Sequence, residues 1–257
     1  MISKSSDNLD QDTLGQLDAI RWGDCATLGH FDELRGKVVT ETTNQTSHIS
    51  PDWQDFFTYL GEEGWNDLNR KTDSLAKQIK DNGITYNVYA DAGGPQRPWS
   101  LDLFPMIVPK NDWHDIEKGV LQRVRLIEQV MADVYGPQTL LRSGMLPSAL
   151  VHGHPGYLRS MHGVAPVGGN HLHIVAFDLA RGADGRWWVV SQRTQAPSGL
   201  GYLLENRLSI SRLFPHAFEQ MKVQHLAATY RAMMDGIKSM SPAGAQAHIA
   251  LLTPGPY

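Results

Sequence analysis

Cysteine is nearly missing from this chain. Cys25 is the single one, so no disulfide can form within it, and a small secreted scaffold held by bridges is excluded. Long apolar runs are missing too: no stretch approaches the roughly 18 apolar residues that a spanning helix needs. The opening MISKSSDNLDQDTLGQL lacks the apolar segment of a secretory signal. Nor is there a basic excess. The net charge is -4 at pH 7, and Lys and Arg are scattered, which argues against a general nucleic-acid binder and against a membrane-surface patch. The chain has no Gly-x-Ser-x-Gly elbow, no Walker A loop and no Gly-x-Gly-x-x-Gly before a helix. These absences predict a cytoplasmic protein with neither nucleic acid nor membrane as a partner.

What is present suits a globular α+β protein. With 257 residues, 41% hydrophobic and 19% charged, the chain can bury a substantial core. Residues 1–30 read as a polar leader, and 31–51, rich in Thr, Asn and Ser, as loop. Helices are expected over 53–60 and 65–81, the second with Trp65, Leu68, Leu75, Ala76 and Ile79 on one face and Gly83 as its stop. Alternation over 84–90 predicts a strand. The clearest helix carries Trp113, Ile116, Val120, Val124, Ile127, Met131 and Val134 as one stripe. Asn111 or Asp112 is its expected cap, and Gly136-Pro137 its end. A hairpin is expected from strands 171–180 and 186–192, then helices over 202–213 and 223–240 and a short strand at 249–252.

Three groups of residues invite a chemical reading. His152, His154, His162, His171 and His173 fall close together, which raises a metal site. On a strand, however, His171 and His173 share one face and Asp178 points to the other, so that trio fails without a bulge. Asp178 continues the row Leu172, Ile174, Ala176, and a carboxylate on such a face needs a cation or donors nearby. It is either salt-bridged to Arg181, Arg186 or Arg193, or a Mg²⁺ ligand facing a nucleotide's phosphates. Ser198-Gly199-Leu200-Gly201 precedes a helix and could cradle an anion, with Arg193 and Arg207 adding charge; the plain alternative is a helix cap.

The order of motifs adds a resemblance. Thr85-Tyr-Asn-Val-Tyr-Ala-Asp91, Arg97-Pro-Trp-Ser-Leu-Asp-Leu-Phe-Pro105, Gly119-Val-Leu-Gln-Arg123 and Asp133-Val-Tyr-Gly136 resemble the circularly permuted ATP-grasp proteins. Phe177-Asp-Leu-Ala-Arg181, Asp184-Gly-Arg-Trp187, Arg193-Thr-Gln-Ala-Pro-Ser-Gly199 and Leu204-Glu-Asn-Arg207 continue the match, which runs from Phe31-Asp-Glu-Leu34 to Tyr257. The version around Arg193 looks like the subgroup (type 2) often fused to a helical alpha-E domain, so such a domain is an expected partner.

The resemblance implies an ATP-grasp fold related to glutathionylspermidine synthetase, and ligation of a small-molecule or peptide carboxylate to an amine through an acyl phosphate, with ATP and Mg²⁺. It implies Asp178 as metal ligand and Arg193 and Arg207 as catalytic phosphate contacts. Ser198, Gly199, Glu205 and Asn206 would line the cofactor site, and Arg97 would meet an anionic substrate. Two departures stand out. Ser191 and Arg193 occupy positions where the family carries a Glu-x-Asn pair of metal ligands, so Arg193 either supplies charge directly or marks a non-catalytic nucleotide-binding or scaffold module. The family chain also normally continues past residue 257, so residues 31–257 are expected to be its N-terminal portion, with the C-terminal half incomplete.

Overall fold

Pro51 sets the first long helix, because its fixed φ and missing N–H suit the first helical position. The computed structural model describes residues 27–40, 48–86 and 97–252. In order these form β1 (Phe31–Asp32), β2 (Lys37–Val38), α1 (Pro51–Asn66), α2 (Leu68–Asp81), β3 (Thr85–Tyr86), β4 (Arg97–Pro98) and α3 (Lys110–Tyr135). There follow α4 (Thr139–Arg142), α5 (Ser148–His152), β5 (Ala176–Arg181), β6 (Trp187–Arg193), α6 (Leu200–Leu213), α7 (Pro215–Gln220) and α8 (Ala227–Ser239). The strands pair in sequence, β1 with β2, β3 with β4, β5 with β6. Helices with small sheets match the expected α+β class. Among the described residues no helix is long and apolar enough to cross a membrane.

The chain divides into two units. One takes the described residues up to Lys110, with Leu179–Trp188 and Gly199–Gln224; the other takes Asn111–Asp178, Val189–Ser198 and the described residues from His225 onward. In the first unit, Ile49, Phe56, Phe57, Leu75, Ile79, Leu213, Phe214 and Ala217 form one buried cluster. Leu75 and Ile79 are one turn apart, so α2 presents both to it. Phe56 meets Phe214 edge-on at 5.3 Å, and Trp65 stacks on Phe57 at 5.1 Å. Each buried aromatic contributes about 1.5–3 kcal/mol. Gly61 interrupts α1 with φ 64 and ψ 174, a conformation in which a side chain is strained.

The segment expected to be loop contributes more than that. It holds the β1–β2 pair, buried Val39 and Ile49, and a buried pair in which Arg35 Nη1 donates to Asp32 Oδ2 at 2.7 Å. Two-residue strands leave no alternation to read. Of the strand expected at 84–90, β3 lies at 85–86 and residues 87–90 lie outside the described part, as do residues 1–26 of the leader and Cys25.

In the second unit, α3 begins at Lys110, so neither Asn111 nor Asp112 is its cap; Asp112 instead sits in the first turn, where a negative charge favours the helix end. Within the stripe, Ile116 and Val134 are buried and Trp113 is exposed. The first expected hairpin strand is shorter than its apolar run. Residues 171–175 are irregular and β5 starts at Ala176. Glu128 of α3 takes the backbone N–H groups of His171 and Leu172 at 2.8 and 2.9 Å, donors that a ladder would have used. The apolar run at 249–252 is not a strand either. Leu251 and Leu252 are exposed, and a strand without a neighbour has no partner for its backbone groups.

Candidate functional site

The β5–β6 hairpin brings Asp178, Ser191 and Arg193 together. Asp178 is exposed, contrary to the apolar row expected of it. The strand begins only at Ala176, so an alternation that starts at Leu172 does not reach Asp178. From Phe177 onward, positions 177, 179 and 181 are the more covered ones and 178 and 180 the exposed ones. Asp178 Oδ1 accepts a hydrogen bond from Arg193 Nη2 at 2.8 Å, and Oδ2 accepts one from the Ser191 hydroxyl. Both members of the ion pair are about half exposed, 52% for Arg193 and 48% for Asp178. Such a pair is worth only about 0–1 kcal/mol of stability; its effect is to fix the direction of the guanidinium. The other two arginines considered for Asp178 are engaged elsewhere. Arg181 pairs with Glu33 at 3.2 Å and lies over the rings of Trp187 and Phe31, and Arg186 pairs with Asp184.

This arrangement does not fit a divalent metal at Asp178. Mg²⁺ wants six oxygen ligands in near-octahedral array, and here the guanidinium bonded to the carboxylate would stand within a few ångströms of the ion as a like charge. Among the described residues, no group of three or more His, Cys, Asp or Glu could hold a metal. The histidines serve their neighbours instead. His162 Nε2 bonds Gly136 O at 2.9 Å, His152 Nδ1 bonds Ser148 Oγ at 2.9 Å, and His154 Nδ1 accepts from the Gly156 N–H.

A second group sits on and before α6, in the first unit apart from Ser198. Gly199 precedes the helix with φ 111, a backbone that favours glycine, and no side-chain bond caps the helix start. The N–H of Leu203 donates to Gly199 O at 2.9 Å, closing the first turn. Ser198 is exposed. Further along, Glu205 Oε1 accepts from Asn82 Nδ2 at 2.9 Å and from Gln78 Nε2 at 3.4 Å, while Gln78 also donates to the fully buried Ser209 hydroxyl. Asn206 Oδ1 accepts from Trp99 Nε1 at 3.0 Å, and Trp99 stacks on Tyr202 at 4.5 Å. Glu205 and Asn206 thus tie α6 to α2 and to the segment after β4. Arg207 differs. Burial pulls its guanidinium below the ordinary arginine value, it lies 6.0 Å from the centre of the Phe218 ring, and no acid among the described residues forms a salt bridge with it. Arg97 opens β4, its backbone paired with Tyr86; its side chain lies outside the described part.

One cluster escaped the sequence reading. Glu128 Oε1 receives His171 Nδ1 at 2.8 Å, and Tyr135 stacks with the rings of His171 and Tyr157 at 6.1 and 5.2 Å. The signal was there: Glu128 lies four residues after Val124 and three before Met131, a carboxylate inside the apolar stripe of α3.

The family model for circularly permuted ATP-grasp type 2 matches residues 105–257. Uncharacterized proteins of Mycobacterium tuberculosis and Mycobacterium bovis are 30% identical over 240 residues, 90% of this chain and 27% of theirs. One of Synechocystis sp. is 32% identical over 174 residues, 67% of this chain and 36% of its own. The chain therefore spans about a quarter of the length of the mycobacterial relatives and about a third of the cyanobacterial one. The match agrees with the resemblance read from the motif order, and the chain belongs to the circularly permuted ATP-grasp type 2 family.

Proposed function

We propose that this chain binds ATP as part of a ligase that joins a small-molecule or peptide carboxylate to an amine. ATP-grasp proteins generally bind ATP with a divalent metal and act as ATP-dependent ligases, which supports the reading. In the proposed reaction the substrate carboxylate oxygen attacks the γ-phosphorus of ATP, giving an acyl phosphate and ADP. The amine nitrogen then attacks the acyl carbon and phosphate leaves. Positioning and charge neutralisation supply most of the catalysis in such transfers.

The observation that carries the proposal is Arg207. Its guanidinium is partly buried, lies 6.0 Å from the Phe218 ring centre and forms no salt bridge with an acid among the described residues, and a phosphate or carboxylate matches its donor fork. From the resemblance we also propose Arg193 as a phosphate contact, Ser198 and Gly199 as residues of an anion or acceptor subsite, and Arg97 as a contact for an anionic substrate. Glu205 and Asn206 hold α6 and add polar contacts to the nucleotide. The Mg²⁺ that accompanies ATP in the family would travel with the nucleotide, since Asp178 is engaged. A helical alpha-E domain is the partner the reading favours.

The test is calorimetric titration of ATP into the chain, with and without Mg²⁺, alongside phosphate release in the full-length protein. Arg207→Ala should weaken ATP about 10- to 100-fold, as expected for loss of hydrogen bonds to a charged group. Unchanged affinity would remove the assignment. A second reading, a nucleotide-binding or scaffold module without turnover, is favoured by the Asp178–Arg193 pair at the position of expected metal ligands. ATP binding with no phosphate release under any mixture of acids and amines would select it.

A further inference from the structure

We propose that Arg193 is the resident cation of the β5–β6 hairpin, held in place by Asp178, and that it binds nucleotide phosphate there without a divalent metal. The second half of this proposal rests on the ATP reading above; the first half does not.

Three observations carry it. Asp178 accepts from Arg193 through Oδ1 and from Ser191 through Oδ2, so both of its oxygens already face donors. The guanidinium donates to Asp178 through Nη2 at 2.8 Å, so any divalent cation binding at Asp178 would approach a like charge within a few ångströms, and like charges that close disfavour each other. Arginine also carries five N–H donors. The bond to Asp178 uses one, and the half-exposed side chain keeps others accessible to an anion. Ser191 brings a neutral hydroxyl and Arg193 a fixed charge to the positions where the resemblance sets metal ligands. A built-in guanidinium with a fixed direction supplies what the ion would have supplied, positive charge facing phosphate oxygens, through the planar fork of its N–H donors. Asp178 is then a positioning residue for Arg193 rather than a ligand.

The two halves are tested separately on the full chain. Mn²⁺ alone, followed by the paramagnetic signal of the free ion, should bind equally poorly to the wild type and to Asp178→Asn. The double variant Ser191→Glu/Arg193→Asn should gain a Mn²⁺ site, and adding Asp178→Asn should abolish it. These side chains are half exposed or more, and circular dichroism confirms folding. Mn²⁺ binding by the wild type that is lost in Asp178→Asn overturns the first half. For the second, ATP titrated in the presence of a chelator should bind about 10- to 100-fold more weakly to Arg193→Ala. Arg193→Lys should not restore the affinity, because a point charge lacks the fork, and Asp178→Asn should lose a smaller factor. Metal-free ATP affinity unchanged in Arg193→Ala overturns this half. ATP that fails to bind the wild type at all defeats the ATP reading and the phosphate half together, while the Mn²⁺ comparison still decides whether Asp178 holds a metal.

Discussion

At Glu128 two opposing influences act on one carboxyl group. Burial works to raise its pKa, while the N–H of His171, the His171 imidazole and the N–H of Leu172 lower it, and the lowering prevails. A folded-state value below the ordinary one means the stabilisation is complete above the unfolded value, 4.5, and is lost as pH falls through the depressed folded value. Glu128→Gln should therefore cost about 1–3 kcal/mol near neutral pH, measured by urea unfolding, and the gap to the wild type should close on acidification. A gap that stays constant from pH 7 to pH 3 would count against this account. Asn206→Ala should cost about 0.5–1.5 kcal/mol through the lost Trp99 bond and alter tryptophan fluorescence without ligand. At this scale the sequence was partly legible. Arg193 was one of three arginines expected for Asp178, because opposite charges on adjacent strands pair readily. The exposure of Asp178 was not, because it depends on where the strand begins, and that was decided by Glu128, more than forty residues earlier.

Among the elements, the long helices were the most legible. The apolar spacing in α2 and α3 follows the 3.6-residue period, and Gly83 and Gly136 mark their ends by backbone chemistry rather than by packing. The short elements were not. Strands of two residues, such as β1 and β2, exist because tertiary neighbours hold them, and nothing in their own residues announces it. The turn into α6 offers a direct check. Gly199 has φ 111 with open space where a Cβ would stand, so Gly199→Ala meets backbone strain and no clash. It should lower stability by about 1–3 kcal/mol, read as a fall in the thermal midpoint. No change would mean that the turn readily takes another conformation, and the start of α6 would lose its value as a fixed anion subsite.

At the scale of the molecule, burial among the described residues is uneven. Val39, Ile49, Phe56, Phe57, Leu75, Ile79, Leu213, Phe214 and Ala217 are buried in the first unit, against Ile116 and Val134 in the second. Amide exchange should accordingly be slowest in α1, α2 and α6, and Phe56→Ala should cost about 3–5 kcal/mol while speeding exchange in those helices. If α3 amides prove the slowest, the stability of the chain lies elsewhere. No run of apolar residues in the sequence foretold this imbalance, since the stripe of α3 is as regular as that of α2; it arises from which faces find a neighbour. The first unit is also discontinuous: its core closes only when Leu213, Phe214 and Ala217 join Phe56 and Phe57. On the ribosome, at about 5–20 residues per second, α1 and α2 wait roughly 8–30 s with their aromatic face uncovered before the end of α6 and α7, which complete the core, emerge. For that interval the nascent chain carries Phe56 and Phe57 without the late partners that bury them, so the order of the segments along the gene sets how long this apolar face stays open to other chains.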